Sequence, residues 1–296
     1  MSPRVVILCG HESPYGIAHL LPLLESRLRV GAIVIADSER WRKFRQALTG
    51  KLHLRSVALT ARERFKVWGR GYLPESVLRR LQSAPKPLDI YRIAADHRIP
   101  LWIVNDVNAP DFVTRLKSLE PDYLISAAYP QIFRTALLNV PKHGCINFHP
   151  SLLPQFRGAH PHFWAIATGA EETGVTAHFM TEDLDAGDII SRRTIPIDEC
   201  YYSELYARII QHTPEIVYDV ERFLVDGSGK PEPQNSELAT TYREPRDVHK
   251  RIFWSLHTAD QIMNLIRTEQ AFCYFYRHRV RIMRAYLPQG NRNLNQ

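Results

Sequence analysis

Residues Arg4–Ala36 read RVVILCGHESPYGIAHLLPLLESRLRVGAIVIA. Arg4–Cys9 is a short β-branched run bounded by Gly10, the pattern of a buried strand. Ile17–Leu24 has helical spacing, although Pro22 strains the middle of a helix. Val30–Ala36 is a second apolar strand. A strand, a helix and a strand in so short a span open a βαβ unit, which implies a parallel sheet. The loop after the first strand, Gly10–Gly16 (GHESPYG), lacks the G-x-G-x-x-G spacing, so a nicotinamide cofactor is not expected.

Outward from this unit the alternation stops and then resumes. Residues 37–87 are dense in Arg and Lys, among them Arg40, Arg42, Lys43, Arg45, Arg62, Arg64 and Lys66, with Trp41, Phe44, Phe65, Trp68 and Tyr72 interleaved. This predicts a basic, amphipathic helical insertion, either a solvated cover for the sheet or a surface for an anionic substrate, RNA or a membrane face. After Pro87 the pattern predicts a helix over Leu88–Asp96, a strand over Leu101–Val104, a helix over Asp111–Leu119 and a strand over Asp122–Ala127. A helix over Pro130–Leu138 and a strand over His143–Phe148 follow. Two strands, Thr173–Met180 and Asp188–Ile197, are joined by an acidic loop; one long helix runs from about Ser203 to Val225. Gly227–Glu237 is a polar Pro/Gly linker, and a small basic lobe starts near Ala239 and ends in a polar tail. The expected fold class is α/β: an open, mostly parallel Rossmann-like sheet with a basic helical insertion at 37–87 and a small C-terminal lobe. The expected divisions are a main domain over 1–200, a helix and linker over 201–237, and the lobe over 238–296.

The chain has 296 residues, of which 45% are hydrophobic and 23% charged, enough for a full core and too few charges for global disorder. No apolar run approaches the roughly 18–20 residues that span a bilayer. The N-terminus has too short an apolar stretch before Gly10 for a secretory signal. A cytoplasmic protein without integral membrane association is therefore expected. Cys9, Cys145, Cys200 and Cys273 are scattered, which predicts reduced, buried thiols and neither a disulfide framework nor a metal site. The formal charge of +7 suits an anionic partner, whether RNA, a phosphorylated substrate or a polyglutamylated cofactor, without choosing among them.

The chemistry concentrates in NFHPSLLPQFRGAHPHFWAIATGAEETGVTAHFMTEDLDAGDII, residues Asn147–Ile190. Asn147 and His149 sit at i and i+2 where a strand ends, so their side chains share a face. Asp185 lies in the loop TEDLDAGD between two strands, and a hairpin can return it to His149. An amide donor, an imidazole and a carboxylate together suit acyl transfer to an amine: the amide for a developing oxyanion, the imidazole for a proton, the carboxylate to orient and balance the imidazole. By spacing alone, structural roles compete with this reading. Arg157 is a candidate for a substrate phosphate or carboxylate, with helix-end pairing as its alternative. His160 and His162 are candidates for helix capping or substrate contact. His178 alternates with Ala177 and Phe179 along its strand and is either a helper or a structural residue.

The segment NFHPSLLPQFRGAHP closely resembles the signature of the folate-dependent formyltransferases, and ETGVTAHFMTEDLDAGDII resembles their second signature. That family includes methionyl-tRNA formyltransferases, glycinamide ribonucleotide formyltransferases and amino-sugar formyltransferases. The resemblance runs from the first strand to about Ala285 and is weakest across 37–87 and in the final ten residues. It implies that Asn147, His149 and Asp185 are the catalytic Asn, His and Asp, and that 10-formyltetrahydrofolate is the formyl donor. It further implies a folate site between Tyr129, Pro130, Gln131 and Ile132 on one side and Glu182, Asp183, Leu184 and Asp188 on the other, read mostly by backbone groups. His178 matches a position that is histidine in several branches. His178 and Arg157 are assigned to the substrate side.

The stretch TYREPRDVHKRIFWSLHTADQIMNLIRTEQAFCYFYRHRVRIMRA resembles the start of the C-terminal domain of the tRNA and amino-sugar branches. In the tRNA enzymes that domain continues into a longer β-barrel. The expectation is therefore an anionic small-molecule amine, first of all a nucleotide-linked amino sugar. A methionyl-tRNA formyltransferase is the alternative, with tRNA as a disfavoured partner; a folate hydrolase and a noncatalytic RNA-binding relative rank below it. Oligomeric state is left open, a homodimer included.

Overall fold

The computed structural model describes residues 2–10, 13–37 and 90–286. The basic insertion expected at 37–87 lies, apart from Asp37, outside the described residues, as does the polar tail after Tyr286.

Strand β1 (Arg4–Cys9) sits at the middle of the sheet. On one side it pairs in parallel with β2 (Arg29–Ala36), which pairs with β3 (Leu101–Val104). On the other side it pairs in parallel with β4 (Tyr123–Ala127), which pairs with β5 (Gly144–His149). β7 (Glu172–Phe179) and β8 (Ile189–Pro196) extend the sheet antiparallel, giving a seven-stranded order β3-β2-β1-β4-β5-β7-β8. β6 (Arg157–Gly158) is a short separate strand between β5 and β7 in sequence. The expected mostly parallel α/β sheet is the one observed.

The apolar runs explain why the centre is parallel. Val5, Ile7 and Cys9 enter one core, and Val6 and Leu8 enter the other, so β1 is buried on both faces. The first core is closed by α1 (Pro14–Glu25) and α2 (Ile90–Asp96) together with α6 (Tyr202–Gln211) and α7 (Thr213–Asp226). The second is closed by α3 (Pro110–Lys117) and α4 (Thr135–Leu138). α1 runs through Pro22, because Ile17, Leu20 and Leu23 are buried against the sheet and that packing overrides the local defect.

Two expected helices differ from what is found. The long helix over Ser203–Val225 is two helices, α6 and α7, because Pro214 cannot continue a helix begun upstream and instead occupies the first turn of a new one. The helix over Pro130–Leu138 shrinks to α4. Side-chain bonds hold the preceding residues against the loop after β3: the Gln131 side chain accepts from the Val107 N–H at 3.0 Å, and the Arg134 N–H donates to Asn108 Oδ1 at 2.8 Å.

After α7 come β9 (Thr241–Tyr242), α8 (Asp247–Lys250), α9 (Ala259–Arg267) and the hairpin β10 (Phe272–Phe275) and β11 (His278–Arg281). This lobe has a core of its own, with Ile252, Leu265, Ile266, Ala271 and Cys273 buried against Ala167 and Tyr201 of the main body. Ala167 belongs to α5 (Pro161–Thr168), which joins the two parts. All four cysteines are buried and free.

Candidate active site

Chain order reverses between β1 and β4: the strands after β1 build outward on one side and β4 and β5 on the other. In an open α/β sheet, that point leaves a crevice beyond the carboxyl ends of the strands. Gly10 closes β1 there by donating to the Ala127 carbonyl at 2.9 Å. Residues Ala128–Ile132 leave β4 on the same edge, and β5 delivers Asn147 and His149 to its end.

The alternation of β5 decides which side chains meet. Ile146 and Phe148 point into the first core, so Asn147 and His149 face the other way. β7 lies antiparallel beside them, with Asn147 opposite His178 and His149 opposite Thr176. His178 therefore shares their face, and Ala177 packs into the first core, as the alternation anticipates. The Asn147 amide donates to His178 Nε2 at 3.4 Å, while His178 Nδ1 donates to the Phe179 carbonyl at 2.7 Å. The carbonyl fixes the His178 tautomer, because only a protonated Nδ1 can bond it.

Asp185 completes the cluster. Its Oδ2 lies 3.6 Å from His149 Nδ1 and its Oδ1 lies 3.5 Å from His178 Nε2. The Gly158 N–H donates to Oδ2 at 2.9 Å. The two imidazole rings stand edge to face with centroids 6.3 Å apart. Burial alone would raise the Asp185 carboxyl, but the two imidazoles and the Gly158 N–H outweigh it and hold the group well below the usual carboxylate range. Asp185 is an anion at neutral pH.

His149 is 4% exposed, and burial pushes its pKa down despite the facing Asp185. Its Nε2 donates to the Phe156 carbonyl at 2.9 Å, which leaves Nδ1 as the unprotonated nitrogen aimed at the carboxylate. A proton taken up at Nδ1 would lie between ring and carboxylate, so the pair is built to receive one. His162 and His19 are also buried, at 7% and 0% exposure. Burial lowers them to about 3 and about 4. These groups set a sign for stability: the unfolded chain takes up protons near pH 6.5, while the folded chain refuses them until lower pH. Stability is full above about pH 6.5 and falls as the solution is acidified, by about 1 kcal/mol per pH unit for each such histidine. Urea unfolding between pH 7 and 5 should show this slope, and His19→Gln should flatten it.

Glycine matters at two points. Gly158 has φ +95°, and a Cβ there would sit 2.2 Å from the Tyr242 carbonyl oxygen. Gly187 lets the loop before β8 close on β7, since a Cβ would meet the Phe179 carbonyl oxygen at 2.1 Å.

The remaining sequence candidates divide. Tyr129, Pro130, Gln131 and Ile132 form the loop after β4. Glu182, Asp183, Leu184 and Asp188 belong to the loop between β7 and β8. The start of α4, which follows the first loop, is tied to the second by a hydrogen bond from the Thr135 hydroxyl to the Glu182 carboxylate. Ile132 is 71% exposed and Leu184 49% exposed, two apolar side chains left open to a ligand with an aromatic face. The Tyr129 hydroxyl is buried without a hydrogen-bond partner among the described residues. Gln131 is occupied with the Val107 N–H and the Asn105 carbonyl, so what this loop offers a ligand is chiefly backbone. These observations fit a flat heterocycle with polar edges. Arg157 is turned onto Gln234, donating to its Oε1 from Nε at 3.2 Å and from Nη2 at 2.7 Å. His160 pairs with Glu244 at 3.0 Å, and His162 bonds the Tyr202 hydroxyl at 2.6 Å. Gln234 was not anticipated; its composition context, GSGKPEPQNSE, carries no signal of a site residue. Among the described residues no group of three or more His, Cys, Asp or Glu is placed to hold a metal ion. Nor is any described helix long and apolar enough to cross a membrane.

Residues 74–220 match the family model for formyl transferases. A methionyl-tRNA formyltransferase of Halalkalibacterium halodurans is 36% identical over 184 residues, covering 62% of this chain and 57% of that protein. One from Thermodesulfovibrio yellowstonii is 33% identical over 208 residues, covering 69% of this chain and 67% of its own. The chain thus spans little more than half the length of the first of these relatives. Among solved structures, a sugar N-formyltransferase from a Shewanella species superposes with a TM-score of 0.65 at 17% identity, over 97% of this chain and 99% of its own.

Proposed function

The chain belongs to the formyl transferase family, and on that premise we propose that it moves a formyl group from 10-formyltetrahydrofolate to a primary amine. The observation that carries the reading is the meeting of Asn147, His149 and Asp185 at the carboxyl end of β5, with Asp185 ionised and His149 neutral. Bound between the loops 129–132 and 182–188, the folate supplies an activated formyl carbon. Asn147 has one amide proton on His178 and a second to offer the formyl oxygen as negative charge gathers there. His149, neutral and facing a carboxylate, takes the proton that the attacking nitrogen sheds and returns it to the folate nitrogen as that nitrogen's bond to the formyl carbon breaks. Asp185 holds the imidazolium so formed and does not itself take the proton. No serine or cysteine nucleophile is needed, because the amine is the nucleophile.

The acceptor we place first is a nucleotide-linked amino sugar. The net charge of +7 suits an anionic acceptor. The end-to-end correspondence of the fold with a sugar N-formyltransferase supports this class. Charged initiator tRNA is second, favoured by the 33–36% identity to methionyl-tRNA formyltransferases. The test is tetrahydrofolate release from 10-formyltetrahydrofolate with nucleotide-linked amino sugars, methionyl-tRNA, glycinamide ribonucleotide or no acceptor. Turnover with an amino sugar alone supports the first acceptor. Turnover only with methionyl-tRNA replaces it with the second. Equal turnover without acceptor would mean that water takes the formyl group, and the transferase reading falls.

A further inference from the structure

The residues after α7 read by composition as a linker, but they are laced onto the site. Ile189 and Glu232 exchange two backbone hydrogen bonds, each of 2.8 Å. Further along, Thr240 Oγ1 accepts from the Phe156 N–H at 2.9 Å, and its carbonyl accepts from the Arg157 N–H at 2.8 Å. β9 then pairs in parallel with β6. Between these anchors stands Gln234.

Every polar atom of the Gln234 side chain is used. Nε2 donates to the Asp185 carbonyl at 2.9 Å and to the Gly187 carbonyl at 2.7 Å. Oε1 accepts both bonds from Arg157. Carbonyls only accept and a guanidinium only donates, so the amide has one possible orientation. The residue it grips is conformationally demanding. Asp185 has φ +51°, the left-handed region, which is unfavourable for a non-glycine residue and persists only where its surroundings hold it. That same residue must present its carboxylate to His149, His178 and the Gly158 N–H at once.

We propose that Gln234 is a positioning residue for formyl transfer. It clamps the backbone of Asp185 and Gly187 so that the carboxylate faces the two imidazoles, and Arg157 serves to orient Gln234. The inference rests on the reading of Asn147, His149 and Asp185 as the reacting machinery.

The test uses the full chain with Gln234→Met, which keeps length and loses the hydrogen bonds, and Gln234→Glu, which keeps the partner for Arg157 but turns an oxygen onto two carbonyls. Both variants should lower kcat by about one to two decades, the cost of a misplacement near 1 Å, with KM for folate and acceptor within about threefold of the parent. Imidazole NMR titration should show the midpoint of His149 moving down as the carboxylate withdraws, since a nearby anion favours imidazolium. Combined with Asp185→Asn, Gln234→Met should cost nothing further, because both act through one group. Wild-type kcat in Gln234→Met, an unmoved His149 titration, or an additive double variant each overturn the proposal. If the parent protein turns over no acceptor while the His149 titration still shifts in Gln234→Met, the clamp stands and the transferase reading is the one that fails.

Discussion

Replacing His149 by alanine should lower formyl transfer by about two to four decades, the range for a positioned general base. The size follows from the placement of the ring. It is buried, its Nε2 is committed to the Phe156 carbonyl, and its Nδ1 faces the Asp185 carboxylate. Water entering the gap is a poor substitute, because it brings no pKa lying close to neutral pH. The fold should survive, since Asp185 keeps the Gly158 N–H and His178 as partners. Far-ultraviolet circular dichroism and folate binding would verify this, and turnover close to the parent's would remove His149 from the mechanism. The pH dependence in the parent carries the same assignment. Burial lowers the imidazole pKa, so the base stays unprotonated below its ordinary value of about 6.5. The acid limb of kcat should accordingly lie below that pH, and an acid limb above it would contradict the assignment.

Asn147→Ala should raise the barrier by about 3 kcal/mol, or roughly two decades in kcat, with little change in KM for either substrate. The amide donor strengthens its bond only as charge gathers on the formyl oxygen. Its loss is therefore felt in the transition state and hardly at all in binding. The variant also removes the hydrogen bond to His178 Nε2, whose ring keeps the Phe179 carbonyl and Asp185. Asn147→Asp tests the role further: a carboxylate of the same shape has no N–H to donate and repels a developing oxyanion. Should Asn147→Asp retain parental kcat, Asn147 is a support for His178 and has no part in stabilising charge.

Much of the site was legible because the relevant periods are local. The i, i+2 spacing of Asn147 and His149 puts both on one face of a strand whatever the strand packs against, and the β5 register bears that placement out. The alternation of Ala177, His178 and Phe179 likewise assigns His178 a face, although only the pairing of β5 with β7 shows that it is the same one. The acidic loop between β7 and β8 could be seen to return, but not that Asp185 would divide its oxygens between two histidines. Arg157 read as a substrate ligand because a cation after a signature turn has no visible partner in the sequence. Its partner stands 77 residues away.

The sequence by itself determined the parallel sheet, the position of the crevice and the three polar groups at its edge. Doubly buried strands demand continuous apolar runs, and strand ends demand polar residues, so both are written in residue type and spacing. Tertiary structure alone decided the tautomers of His149 and His178, the ionisation of Asp185 against burial, and the clamp of Gln234 on the Asp185 loop. Those depend on carbonyls, amides and charges brought within bonding distance from segments remote in the chain. A hydrogen bond spanning 49 residues leaves no period in the sequence to read.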